Sequence, residues 1–282
     1  MQKYVYSVLA VLITMALALH AADGDLDVTF GIGGEVTTDF SGGNDYAFAL
    51  ALQSDGRIVA AGGTSSGFAL ARYNPDGSLD NGFGSGGKVI TAYSAGASAV
   101  AIQPDGKIVV AGGSLLVRYN TDGSFDPTFG SGGKVIQPGF GGFSISLLLQ
   151  ADKKIVAVGT MFTPGDFALV RYNSDGSLDP GFGSGGIVTT DFSGRDDEAY
   201  ASALQSDGKI IAAGRTTTTV GESVGFFALA RYNTDGSLDP TFGMDGVVTT
   251  SFLPDDSSFA ETIVIQPDGK IVGAVTLSSK TA

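Results

Sequence analysis

Three short motifs recur in fixed order along the chain, and this repetition limits the fold more than any other feature. The block Leu26-Asp27-Val28-Thr29-Phe30-Gly31 returns at 79–84, 125–130, 178–183 and 238–243, with 53, 46, 53 and 60 residues between successive Phe positions. Gln-x-Asp-Gly-Lys/Arg-Ile begins at Gln53, Gln103, Gln205 and Gln266, and a variant at Gln150 has Lys153 in place of the Gly. Arg-Tyr-Asn-x-Asp-Gly-Ser begins at Arg72, Arg118, Arg171 and Arg231, and has no fifth copy. A unit repeated at this length buries its apolar surface against its neighbours.

Each unit reads as four short strands. In the first copy these are 47–53, 57–61, 68–73 and 88–91. Asp-Gly between two apolar runs marks a tight hairpin, because those residues accept positive φ. No stretch of useful length carries a 3.6-residue apolar period, so the chain is expected to be all-β. The first strands are apolar at consecutive positions, as in Val100-Ala101-Ile102 and Leu147-Leu148-Leu149. That pattern asks for cover on both faces. A β-propeller of about five four-stranded blades supplies the cover, since each blade is flanked by two others. A solenoid is the other repeat architecture, but β-built coils run shorter.

Four units are complete (47–92, 97–137, 144–191 and 199–250), whereas the fifth holds only its first two strands, 259–266 and 270–277. The segment 35–40 matches 187–192 and is expected to add a fourth strand to the last blade and close the ring. The alternative is an open arc. Repeat boundaries fall at about 26–78, 79–124, 125–177, 178–237 and 238–282.

Leu-Asp-x-x-Phe-Gly-x-Gly-Gly, Gln-x-Asp-Gly-Lys-Ile-Val-x-Ala-Gly and Phe-Ala-Leu-x-Arg-Tyr-Asn-x-Asp-Gly-Ser together resemble the delta-60 repeat of bacterial secreted proteins. The resemblance spans about residues 26–276. It implies a propeller fold, export and a bacterial source, and it brings no catalytic residues with it.

Composition removes several functions. The chain has no Cys, and its single His20 lies in a leader-like segment. A thiol nucleophile, a disulfide framework, a Ser-His-Asp triad and a His-ligated metal are therefore excluded from the mature chain. A net charge of −13 argues against nucleic acid as partner. Lys3, an apolar run from Val5 to Leu19 and small residues up to Ala22 read as a signal peptide over 1–22, followed by one domain over 23–282. The expected location is extracellular, at the cell surface or periplasmic, with no membrane span after cleavage. The expected molecule is a monomer or a module of a larger chain.

Near-identical Asp-Gly turns occupy one face, and connections of variable length occupy the other. Variable loops on a rigid frame are where binding resides. The variable face also carries the candidate ligand-binding acids Asp45, Asp196, Asp197, Glu198, Asp255, Asp256 and Glu261. Carboxylates from separate blades would meet near the axis, where their oxygens suit Ca²⁺; solvated acidic loops are the plainer reading. No cofactor is expected beyond that ion. The repeated Asn-x-Asp-Gly-Ser-x-Asp (Asn74, Asp76 and Asp80 in the first copy) lacks the remaining EF-hand ligands and reads as a turn. Each repeat Arg is expected to fix a blade to the next through a repeat Asp or backbone carbonyls. Phe30, Phe83, Phe129, Phe182 and Phe242 read as plugs between blades. The functional expectation is a non-catalytic scaffold for an extracellular protein or glycan. The alternative is a carboxylate- or Ca²⁺-dependent hydrolase or lyase acting on extracellular carbohydrate.

Overall fold

The computed structural model describes residues 24–40, 42–163, 165–192, 196–217, 224–252 and 257–278. The leader-like segment, Asp255 and Asp256 lie outside them. The chain divides into two units, Met1–Thr37 and Thr38–Ala282. In the first, Asp27 organises a turn: its carboxylate accepts the Thr29 amide at 2.9 Å, and the Gly34 amide returns to the Phe30 carbonyl at 2.9 Å.

The second unit is all-β among its described residues. Blade 1 runs β1 (Tyr46–Leu52), β2 (Ile58–Thr64), β3 (Gly67–Tyr73) and β4 (Lys88–Ala92). Blade 2 runs β5 (Ala99–Ile102), β6 (Ile108–Gly112), β7 (Leu115–Tyr119) and β8 (Lys134–Ile136). Blade 3 runs β9 (Phe140–Leu149), β10 (Ile155–Met161), β11 (Asp166–Tyr172) and β12 (Ile187–Thr190). Blade 4 runs β13 (Asp197–Leu204), β14 (Ile210–Thr217), β15 (Gly225–Tyr232) and β16 (Val247–Thr250). Each is an antiparallel meander in chain order, and β17 (Ser257–Ile265) with β18 (Ile271–Ser278) forms a two-stranded fifth sheet.

Asp-Gly hairpins join first strands to second, with Gly56, Gly106 and Gly208 at φ 83°, 82° and 86°. Lys153 holds the same conformation at φ 69° despite its side chain. First strands of successive blades approach one another: Ser202 Oγ donates to Ser146 Oγ at 2.7 Å, and the Ile145 amide donates to Ser98 Oγ at 3.1 Å. The deepest burial lies elsewhere. Every residue of β6 and β7 is buried, whereas the consecutive apolar residues of β5, β9 and β13 are mostly half-buried. Only the middle strands have a strand on each edge and a blade on each face.

Apolar clusters fill each space between blades. Phe83 with Val110 and Val117 packs between blades 1 and 2, Phe129 with Ile155 between 2 and 3, and Phe182 with Ile210 between 3 and 4. These three Phe side chains are fully buried, as expected of plugs; Phe242, facing the incomplete sheet, is only partly buried.

The expected strand over 35–40 does not form. Residues 36–39 carry no ladder, and the fifth sheet remains two-stranded. Within the second unit, Thr38 instead places its hydroxyl 2.7 Å from the Tyr73 hydroxyl. Thr91–Tyr119 and Thr190–Tyr232 make the same contact between consecutive blades, at 2.7 and 2.8 Å.

Candidate functional site

The conserved-turn face shows where the three motifs belong. In blade 2, Asp126 Oδ2 accepts Arg118 Nε at 2.7 Å and Lys107 Nζ at 2.9 Å, while Thr128 supplies its amide and hydroxyl to Oδ1. One residue from each motif therefore meets at a single carboxylate. Blades 1, 3 and 4 repeat the set as Arg57–Asp80–Arg72, Lys154–Asp179–Arg171 and Lys209–Asp239–Arg231. Each Arg also lies over its Phe plug, 4.3–4.6 Å from guanidinium carbon to ring centroid. Arg72, Arg118 and Arg171 reach on to the carbonyls of Thr121, Ser174 and Thr234 in the following blade. The contact expected of the repeat Arg is present. Burial pushes the Asp126 carboxyl up, but hydrogen bonds from Lys107, Thr128 and Arg118 outweigh it and hold the group well below the carboxylate range.

The turn carboxylates on this face are engaged as well. Asp76, Asp122, Asp175 and Asp235 each accept the amide and hydroxyl of the Ser two residues on, at 2.6–2.9 Å. That bonding accounts for the Asn-x-Asp-Gly-Ser motif without an ion.

The opposite face differs. Asp166 opens β11, Asp191 follows β12 and Asp197 opens β13, so the junction of blades 3 and 4 draws three acids together. One oxygen from each lies within 4.8 Å of the others. Backbone contacts hold the arrangement: the Asp197 amide donates to the Gly165 carbonyl at 2.7 Å, and Asp197 Oδ2 accepts the Phe192 amide at 2.7 Å. Asp197 is fully buried, and its Oδ1 has no hydrogen-bond partner. Burial raises its carboxyl to about 6, opposed first by the Thr216 hydroxyl and then by the Phe192 amide, with repulsion from Asp191 and Asp166 adding to the rise. Burial and then Asp191 also push Asp166 up.

Of the acids picked from the sequence that lie among the described residues, only Asp197 joins this cluster. Asp196 is exposed beside it, and its backbone carbonyl accepts the Thr217 amide at 3.2 Å. Glu198 turns to Arg215 at 3.0 Å and accepts the Tyr200 hydroxyl. Glu261 accepts the Thr276 hydroxyl at 2.7 Å within the last sheet. Asp45 accepts the Phe40 amide at 2.8 Å, repeating the Asp197–Phe192 contact three repeats earlier. Asp166 and Asp191 were missed. The signal for Asp191 lay in two copies of Asp-Phe-Ser-Gly-x-x-Asp, 39–45 and 191–197, whose acids flank a short loop. Asp166 had no such signal, because Gly67 holds the corresponding start of β3.

A search of curated protein sequences finds no match. Among solved structures, virginiamycin B lyase from Staphylococcus aureus is similar at 12% identity and TM-score 0.47, over 80% of this chain and 68% of that one. A protein of unknown function from Bacteroides caccae is similar at 13% identity and TM-score 0.46, over 80% and 69%. The extracellular domain of a putative one component system from B. thetaiotaomicron is similar at 16% identity and TM-score 0.43, over 86% of this chain and 28% of that one. The family described as a domain of unknown function (DUF5122) beta-propeller matches residues 53–83, 103–129, 150–182 and 205–242. Each matched segment starts on the Gln and ends on the Phe plug, and so encloses the cation, Arg and Asp that meet on the turn face. Those four segments are similar to the repeats of that β-propeller family.

Proposed function

We propose that this protein is a secreted or surface-exposed bacterial binding scaffold of the delta-60 repeat type, without chemistry of its own, that engages an extracellular protein or glycan through its variable face. One contrast carries the reading. On the turn face the repeated carboxylates are committed to Arg, Lys or Ser partners, whereas the variable face holds differing loops and a buried carboxylate oxygen without a hydrogen-bond partner. Frame residues bond within the frame, and binding evolves on the loops it presents.

A carboxylate-dependent hydrolase or lyase draws support from Asp197, whose raised carboxyl suits a general acid. The test is a screen of the purified protein on glycan and surface-protein arrays, alongside turnover assays on polysaccharides. Saturable binding lost on exchanging the β10–β11 and β14–β15 loops supports the scaffold. Turnover abolished by Asp197→Asn would replace that reading with the enzyme.

A further inference from the structure

The three acids at the junction of blades 3 and 4 are arranged unlike any other carboxylates described in the chain. Elsewhere on the frame, a buried Asp receives Arg and Lys. Here two acids that are each less than 10% exposed, Asp166 at 6% and Asp197 at 0%, face a third acid. Bringing like charges together in a poorly solvated place is costly unless a cation joins them.

A second observation, outside the acids, points the same way. Thr216 pairs with Asp197 in the β13–β14 register and is fully buried. Its hydroxyl lies close enough to the Asp197 carboxylate to hold down part of the rise in its pKa, yet outside hydrogen-bond geometry, and has no other partner. A buried hydroxyl oxygen and a buried carboxylate oxygen on paired residues are thus left without a hydrogen-bond partner. Such groups are ordinarily satisfied by protein, water or an ion.

We infer that Asp166, Asp191 and Asp197 form a Ca²⁺ site, with Thr216 Oγ1 as a neighbouring neutral oxygen, which clamps blade 3 to blade 4 beneath the variable loops. The ion follows from donor type and size. The donors are hard oxygens, with neither imidazole nor thiolate among them. Two oxygens bound to one Ca²⁺ at about 2.3–2.6 Å can stand up to roughly 5 Å apart, whereas Mg²⁺ at about 2.1 Å limits them to roughly 4.2 Å. Oxygens that all lie within 4.8 Å of one another fall inside the span a Ca²⁺ shell allows. Three carboxylates leave positions for water or carbonyls in a shell of about 6–8 oxygens. Three strands from two blades converge there, so the ion would tie together the ends of β11, β12 and β13. The site stands on geometry alone and does not depend on what the variable face binds.

The experiment is titration of chelator-treated protein with CaCl₂, and separately MgCl₂, by calorimetry and thermal melting. Extracellular calcium modules bind at about 10⁻⁴–10⁻³ M, so about 5 mM CaCl₂ should produce heat and raise Tm by roughly 3–8 °C. Mg²⁺ should bind at least about tenfold more weakly. Asp191→Asn, at an exposed position, and Asp166→Asn should each weaken Ca²⁺ binding at least about tenfold while leaving the β-sheet circular dichroism and the calcium-free Tm at or above those of the parent. Absence of heat and of any Tm shift in the parent protein at about 5 mM Ca²⁺ overturns the site. So does calcium binding that survives both substitutions, or Mg²⁺ binding as tight as Ca²⁺. Failure of the array screen with a positive titration would overturn the scaffold and leave the ion site standing.

Discussion

Asp126→Ala tests whether the meeting of the three motifs stabilises the fold or merely decorates it. Asp126 is 2% exposed and Arg118 5%, so the pair is shielded from solvent, while Lys107 remains partly exposed. The substitution removes the acceptor of Arg118 Nε at 2.7 Å and of Lys107 Nζ at 2.9 Å, and releases the Thr128 amide and hydroxyl. Breaking one side of a buried ion pair costs about 3–5 kcal/mol, chiefly because the remaining charge stays buried. Arg118 keeps the Ser174 carbonyl and its place over Phe129, which holds the loss to the middle of that range, about 4 kcal/mol. For a domain of this size that is roughly 8–16 °C in Tm. Asp126→Asn keeps the side-chain shape and an acceptor for Thr128, so it should lose about 2–3 kcal/mol. Asp122→Ala, which breaks an exposed turn only, should move the midpoint far less than Asp126→Ala. The measurement is the urea midpoint at pH 7 with the m-value checked for constancy. A loss below about 1 kcal/mol for Asp126→Ala would show that the interblade plugs carry the frame alone and would refute this reasoning.

Acid should act through the same carboxylates. Asp80, Asp126, Asp179 and Asp239 are all held below their ordinary value, so they stabilise the fold fully above the unfolded pKa of about 3.9 and lose that contribution as pH falls through their folded values; urea midpoints should hardly change through these groups between about pH 5 and 7 and should drop below about pH 4, with a shallower drop in Asp126→Asn. Phe182→Ala empties a fully buried plug between blades 3 and 4 and should cost about 3–5 kcal/mol; a cost under about 1 kcal/mol would contradict its role as a plug. Lys153→Gly should raise stability by about 0.5–1 kcal/mol, because a left-handed backbone at φ 69° suits Gly, and an unchanged or lower midpoint would show that the Lys side chain compensates. Gly106→Ala should cost about 1 kcal/mol or more, from φ 82° and a Thr121 methyl that its Cβ would meet at 3.0 Å, and Gly236→Ala considerably more, since its new methyl would meet the buried Phe182 ring at 2.9 Å and Val188 at 2.7 Å; equal melting points for the two would contradict the packing described.

The frame was legible because its instructions are local and repeated. An Asp-Gly turn between apolar runs fixes a hairpin within a few residues, and four copies remove the ambiguity that a single copy leaves. The Phe plug and the Arg contact were legible for the same reason: a residue kept at one position of a diverging repeat has a partner in every copy. What repetition could not show was anything belonging to one junction only. Asp166 stands where blade 1 has Gly67, and its two partners come from a loop and the next blade, so no spacing along the chain joins them. The acids chosen from sequence shared a face, but a face is far wider than an ion. Glu198 found Arg215 within its own blade and Glu261 found Thr276 within its own sheet.

The ends of the array show why closure was the weakest inference. Val100 and Ile102 of blade 2 pack into the cluster shared with blade 1, and Leu50 and Leu52 are their equivalents one repeat earlier. Those two side chains are 69% and 71% exposed, and Val264 on the last sheet is 57% exposed. The repeat therefore specifies an apolar surface on both sides of every blade, whether or not a neighbour covers it. Sequence identity between 35–40 and 187–192 records descent from one unit. Pairing as a fourth strand needs more: β12 forms because β11 offers it a ladder, from Phe167–Thr190 to Val170–Ile187. The fifth sheet ends at β18 and has no third strand among the described residues, so the segment has no edge of that kind to join. What remains of the pattern is the part that needs no ladder, the Thr38 hydroxyl against Tyr73, where one side-chain contact reproduces the junction that Thr91 and Tyr119 make between complete blades.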